Sequence, residues 1–177
     1  MKEKSLWSAI YRFTKMMNNW ENLIQGHYRN QRQAMSNPAK WPQVDIRIWK
    51  TGSGIFESKS WYKYKGEENP YNWLRYRVTG MAEDFVKTDI FNLIHNTDSC
   101  PFYWKWDKQT GWWSGTTLDD CIVRGHKMVS TVRFNGFDYR SQDFGYNLET
   151  NEQAWGKPKE EGEFQFVAIN NLSLIHI

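Results

Sequence analysis

At 177 residues and 21.2 kDa, the chain suits one ordinary domain able to bury a sizeable core without metals or disulfide staples. Its apolar share of 40% comes with a mean hydropathy of -0.79, because much of the hydrophobic mass is 11 Trp, 10 Phe and 9 Tyr; such residues suit a ligand pocket or an interaction surface alike. A net charge of +3, spread with no long run of like charges, permits nucleic-acid binding without indicating it, and no stretch approaches the length of a membrane span.

In chain order, Leu6, Ile10, Phe13, Met17, Trp20 and Ile24 recur at steps of four and three. This single apolar stripe predicts an amphipathic helix over about residues 5–25, ended by Gly26. The N-terminus alternates apolar with polar groups and lacks the continuous apolar core of a signal peptide. Downstream, short aromatic and β-branched runs are separated by Gly, Pro, Asn and Asp, and read as strands and turns. The predicted strands are 27–35, 44–51, 55–64, 71–79, 85–91, 102–106, 112–116, 121–124, 127–134, 137–141 and 163–169. Asn135-Gly136 is a strong hairpin signal, and Lys108 to Gly111 a weaker one. The expectation is therefore an all-β fold: a calyx-like, lipocalin-like antiparallel β-barrel of about ten strands over about residues 27–169. The helix packs against it, residues 170–177 form a tail, and the whole chain makes one domain.

Several strands are polar where a filled barrel would be apolar. In the run 71–79, Tyr71, Trp73, Arg75 and Arg77 share one face, while Asn72, Leu74, Tyr76 and Val78 share the other. Rings followed by arginines suit a flat, conjugated ligand bearing carboxylates; equally, Arg75 and Arg77 could lie outside in ion pairs, and register decides. In the run 27–35 neither face is plainly a core face, and Asn30 and Gln33 offer polar contacts. Asp143 could accept hydrogen bonds from pyrrole N–H groups or serve a turn before Gly145. Cys100 and Cys121 show neither a CxxC nor a metal-ligand spacing, so no disulfide or zinc site is signalled. They read as nucleophiles or small core residues, and a reducing cytoplasm is the simplest home. No nucleotide-binding or hydrolase motif occurs.

An ordered set of motifs resembles the CpcT/CpeT family of phycobiliprotein lyases over roughly Trp20 to Ala168. The set runs from Gly26-His27-Tyr28-Arg29-Asn30-Gln31-Arg32-Gln33-Ala34 and Trp41-Pro42 through Asn69-Pro70-Tyr71, Ser99-Cys100-Pro101 and Ser114-Gly115. It ends with Asp143-Phe144-Gly145, Trp155-Gly156 and Glu163-Phe164-Gln165-Phe166. The resemblance implies a barrel, often dimeric, that holds a phycobilin non-covalently and helps attach it by a thioether to a cysteine of a phycobiliprotein β subunit. In the CpeT branch the pigment is phycoerythrobilin and the acceptor phycoerythrin; the source would be a cyanobacterium or its phage. The expected site comprises Asp143 as the catalytic carboxylate, with Tyr71, Asn72, Trp73, Arg75, Arg77, Asn30 and Gln33 binding the bilin. The family places arginines where this chain has Asn72, Leu74 and Phe144, so pigment binding is expected ahead of transfer. A bilin carrier without transfer activity is one alternative, and a single-stranded nucleic-acid-binding barrel is another.

Overall fold

The computed structural model describes residues 19–169. The predicted helical stretch from Leu6 to Met17 and the predicted tail 170–177 lie outside the described residues. Within the predicted helical run the described residues hold a short helix, α1 (Trp20–Ile24), begun by Asn19, whose side chain accepts from the Glu21 N–H.

The first seven strands are β1 (Gly26–Arg29), β2 (Val44–Gly52), β3 (Ile55–Tyr62), β4 (Asn72–Met81), β5 (Phe85–Asn92), β6 (Thr97–Asp98) and β7 (Phe102–Asp107). The remainder are β8 (Trp112–Thr116), β9 (Ile122–Val123), β10 (His126–Phe134), β11 (Asp138–Asn147), β12 (Gln153–Trp155) and β13 (Phe164–Ala168). Ten of them pair in the order β11-β13-β1-β2-β3-β4-β5-β7-β8-β10, and β10 pairs back onto β11, closing an antiparallel barrel. Closure removes the open edges that a meander would otherwise expose. The short strands β6, β9 and β12 add to β5, β10 and β11. The Asn135-Gly136 turn sits where expected, Gly136 having φ +94°, and joins β10 to β11.

One end of the barrel is a solid floor. Trp20 from α1 enters it edge-on to Phe56 at 5.3 Å and to Trp104 at 5.5 Å, and Phe134 packs 5.6 Å from Trp104. Trp20, Phe56, Trp104, Trp113 and Phe134 are all but inaccessible to solvent, and burying each such side chain stabilises the fold by roughly 2–3 kcal/mol. Trp104 lies across Gly115, where any side chain would overlap its ring, and donates its indole N–H to Thr88 Oγ1 at 2.9 Å. The Tyr28 hydroxyl reaches the Leu23 and Ile24 carbonyls, both at 3.1 Å, and so ties the end of α1 to β1.

Two expectations are corrected. The predicted strand 27–35 breaks at Asn30, after which Gln31–Ser36 forms a helix, α2. The break is local: Asn30 donates to the Pro42 carbonyl at 2.9 Å and accepts from Val44 N–H at 2.7 Å, while its own carbonyl receives the Ala34 N–H. Cys100 and Cys121 are not free thiols but a disulfide that links the β6–β7 and β8–β9 connections. The cysteine argument for a reducing compartment falls with it. Among the described residues, no helix is long and apolar enough to cross a membrane.

Candidate functional site

Above the floor the same strands change character. Tyr139 and Phe134 face each other across β11 and β10 within the core, so the period of two turns Ser141 and Asp143 on β11, and Val132 and Ser130 on β10, toward the same interior. From β3 the interior receives Ser58, Ser60 and Tyr62, and from β4 Asn72, Leu74 and Tyr76. The lining thus passes from rings at the floor to hydroxyls, phenols and one carboxylate. Asp143 faces inward yet keeps solvent-accessible surface, while Phe134 below it is 0% exposed. A residue that points inward and still meets water marks a cup open at the upper end.

Asp143 lies directly opposite Ser130, whose hydroxyl donates a short hydrogen bond to its Oδ1. Surrounding protein raises the Asp143 carboxyl above the ordinary carboxylate range, and the Ser130 bond only partly opposes this. The phenols of Tyr71, Tyr76 and Tyr139 all feel its charge. Burial pushes Tyr76 up to about 12, with Ser58 pulling it down and Asp143 adding to the rise. Burial also raises Tyr71, helped by Tyr62 and Asp143 against Ser60, and it raises Tyr139 well above its ordinary value. These hydroxyls therefore remain neutral near a carboxylate that, among the described residues, has no cation beside it. At the rim, Tyr71 is half-exposed with its ring 4.7 Å from that of Tyr62, and Tyr62 stacks on the exposed Tyr64 at 5.7 Å. The Lys65 ammonium lies 5.9 Å from the Tyr62 ring and 5.8 Å from that of Tyr64.

Of the residues singled out from sequence, the fold brings Tyr71, Asn72 and Asp143 to this cup. Asp143 sits in mid-strand, not in a turn. Trp73, Arg75 and Arg77 point the other way. Arg75 pairs with Glu57 at 3.4 Å, Arg77 with Asp89 at 3.5 Å, and the Lys59 ammonium lies 4.3 Å from the Trp73 ring. The expectation that these arginines line the interior is corrected by register: Tyr76 takes the inward place between them. Asn30 and Gln33 clamp backbone, Gln33 by donating to the Glu163 carbonyl and accepting from the Gln165 N–H, both at 3.0 Å. The two other places where the resemblance expects arginine split. Leu74 faces inward, whereas Phe144 turns away from the face of Asp143 and is buried. Sequence reading missed Ser130, Tyr76 and Tyr139. The alternation Phe56, Ser58, Ser60, Tyr62, half ring and half hydroxyl on one face, was the available signal for a cup.

No protein-family model matches the chain, and no curated protein matches it. Solved structures do. The T-type phycobiliprotein lyase CpeT from Prochlorococcus phage P-HM1 is similar at TM-score 0.66 and 22% identity, covering 88% of this chain and 98% of that one. The CRL protein of Arabidopsis is similar at TM-score 0.63 and 12% identity, covering 82% of this chain and 93% of that one. These are likenesses of fold. They agree with the all-β barrel expected above and with the fold implied by the motif resemblance.

Proposed function

We propose that the cup binds a phycobilin, phycoerythrobilin in the first instance, and presents it for thioether attachment to a cysteine of a phycobiliprotein β subunit such as that of phycoerythrin. The observation that carries this reading is the inward, solvent-reachable Asp143, with no cation beside it among the described residues and neutral phenols near it. Ser130 is the one hydrogen-bond donor to this carboxylate among the described residues. The pyrrole N–H groups of an open-chain tetrapyrrole supply others, and protonation of the pigment adds a counter-charge. With Oδ1 taken by Ser130, Oδ2, to which no described residue donates, is open to the ligand. Tyr71 and Tyr62 offer flat surface at the mouth, and Lys65 beside them is placed to meet a propionate. The fold likeness to a phycobiliprotein lyase supports the same reading. The chain's work in attachment is then positioning: the pigment is held in one conformation while the acceptor's thiol approaches.

One observation favours a second reading, a carrier without transfer. Two of the three places where the resemblance expects arginine, 72 and 74, face the cup and hold Asn72 and Leu74 instead. A cup without those cations holds propionates less firmly and constrains the pigment less. Co-producing the chain with a bilin pathway and an apo phycoerythrin β subunit tests both readings. Covalent colour on the acceptor supports attachment, colour retained only by this chain supports the carrier, and a colourless chain removes both.

A further inference from the structure

We propose that Trp155 forms a wall of the pigment site, its indole stacking on the tetrapyrrole that Asp143 holds. This rests on the reading above and adds a residue to it. β12 lies beside β11, with Trp155 opposite Gly145 and Gln153 opposite Tyr146. Directly opposed residues of an antiparallel pair share a face, and Gly145, two residues after Asp143, shares the inward face with it. The pairing shifts register between Gly145 and Tyr146, and it is the indole's position against the Cβ side of Gly145 that sets Trp155 on the cup's side of β11. The seat is shaped for it: a side chain at Gly145 would overlap the Trp155 indole, so the ring occupies the space that a Cβ would fill.

The strap that carries the ring is pressed onto the same strand. Gly156 has φ +96°, and any side chain there would collide with the Asp143 carbonyl. The Gln153 amide lies within 3.3 Å of the carbonyls of Trp155, Gly156 and Lys157. The Lys157 ammonium donates to the Lys40 carbonyl at 2.6 Å, sits 4.7 Å from the Trp41 ring and pairs with Glu161 at 3.5 Å. Trp155 is nonetheless 38% exposed, and among the described residues no second ring stacks on it. An indole fixed in place, with a free face beside a carboxylate short of donors, is preorganised for a flat conjugated molecule carrying N–H groups.

The test is titration of phycoerythrobilin into the full chain and its variants, followed by absorbance and circular dichroism, with thermal melts of each apo protein. W155A is expected to weaken uptake about tenfold and alter the induced dichroism, with W155F restoring most of it. G145A, which keeps the indole but displaces it, should also weaken uptake, and the G145A/W155A double variant should be no worse than W155A alone. Should G145A fail to fold, the W155A and W155F pair still decides, since Trp155 is a partly exposed strap residue. A W155A protein that binds with unchanged affinity and dichroism, beside a wild type that binds, overturns the role of Trp155 alone. A wild type that leaves phycoerythrobilin free in solution removes the proposed function and this inference together.

Discussion

Two aspartates in the barrel wall are held in opposite ways. Asp45 is on the outer face of β2, 2% exposed, and its carboxylate receives Arg29 Nε at 2.8 Å, Arg29 Nη2 at 2.7 Å and His27 Nε2 at 2.8 Å. Burial pushes its carboxyl up, but the hydrogen bonds from Arg29 and His27 outweigh that and hold it below the ordinary carboxylate value. Asp143, on the inner face, has one hydroxyl and no cation among the described residues, and its carboxyl is raised. The outer aspartate is satisfied by its own fold, while the inner one is left wanting partners. The floor and the cup repeat this contrast on a larger scale, since rings fill one while buried hydroxyls and a solvent-reachable carboxylate line the other. Perturbed titratable groups of this kind cluster at functional sites.

The contrast can be broken at several points. At the floor, Trp104→Ala should lower stability by about 4 kcal/mol in urea unfolding, whereas Asn72→Ala in the cup should change it by less than about 1 kcal/mol. Equal losses would mean that the cup is packed like the floor. On the outer face, Asp45→Ala should cost about 3 kcal/mol by stranding Arg29 and His27. Because the folded carboxyl of Asp45 lies below its unfolded value, its contribution is present above about pH 4 and disappears as pH falls through the folded pKa. Acid unfolding of wild type and Asp45→Ala should therefore converge at low pH.

Asp143→Asn should show the opposite sign. A carboxyl raised on folding favours the folded state below its unfolded value, and this advantage is lost as pH rises through the raised one. The amide escapes that loss, so the apo variant should melt higher at neutral pH and no higher below about pH 4. The gain should stay under about 1 kcal/mol, because water in the cup screens the charge. The same variant should blunt the red shift of bound phycoerythrobilin; an Asp143→Asn protein that loses apo stability would show that the carboxylate is structural after all. Smallest of all, Arg75→Ala and Arg77→Ala should each move stability by under about 0.5 kcal/mol and leave pigment uptake intact. Loss of uptake there would return the arginines to the site.

Much of the barrel was legible because strand runs and turn residues are local signals. Val44, Phe85, Phe102 and Trp112 begin strands where expected, and Asn135-Gly136 turns the chain between β10 and β11. What stayed hidden depends on partners distant in sequence. The face of Arg75 follows from β4 pairing with β3, where Arg75 opposes Glu57 and Tyr76 opposes Phe56. The helix Gln31–Ser36 follows from Asn30 reaching across to Pro42 and Val44, a contact that no window of nine residues contains. Asp143 resembled a turn residue because carboxylates rarely occupy the inner face of a strand, and only Ser130 opposite makes sense of it there. Trp155 gave no strand signal, since β12 is three residues long and exists by leaning on β11.

The bond between Cys100 and Cys121 also bears on chemical reactivity. The sulfurs of both cysteines in the chain are joined to each other, so neither is present as the thiolate that adds to an electron-poor double bond. On the proposed reading, the container is inert toward its own cargo, and the pigment's ethylidene carbon meets its first sulfur nucleophile only on another molecule.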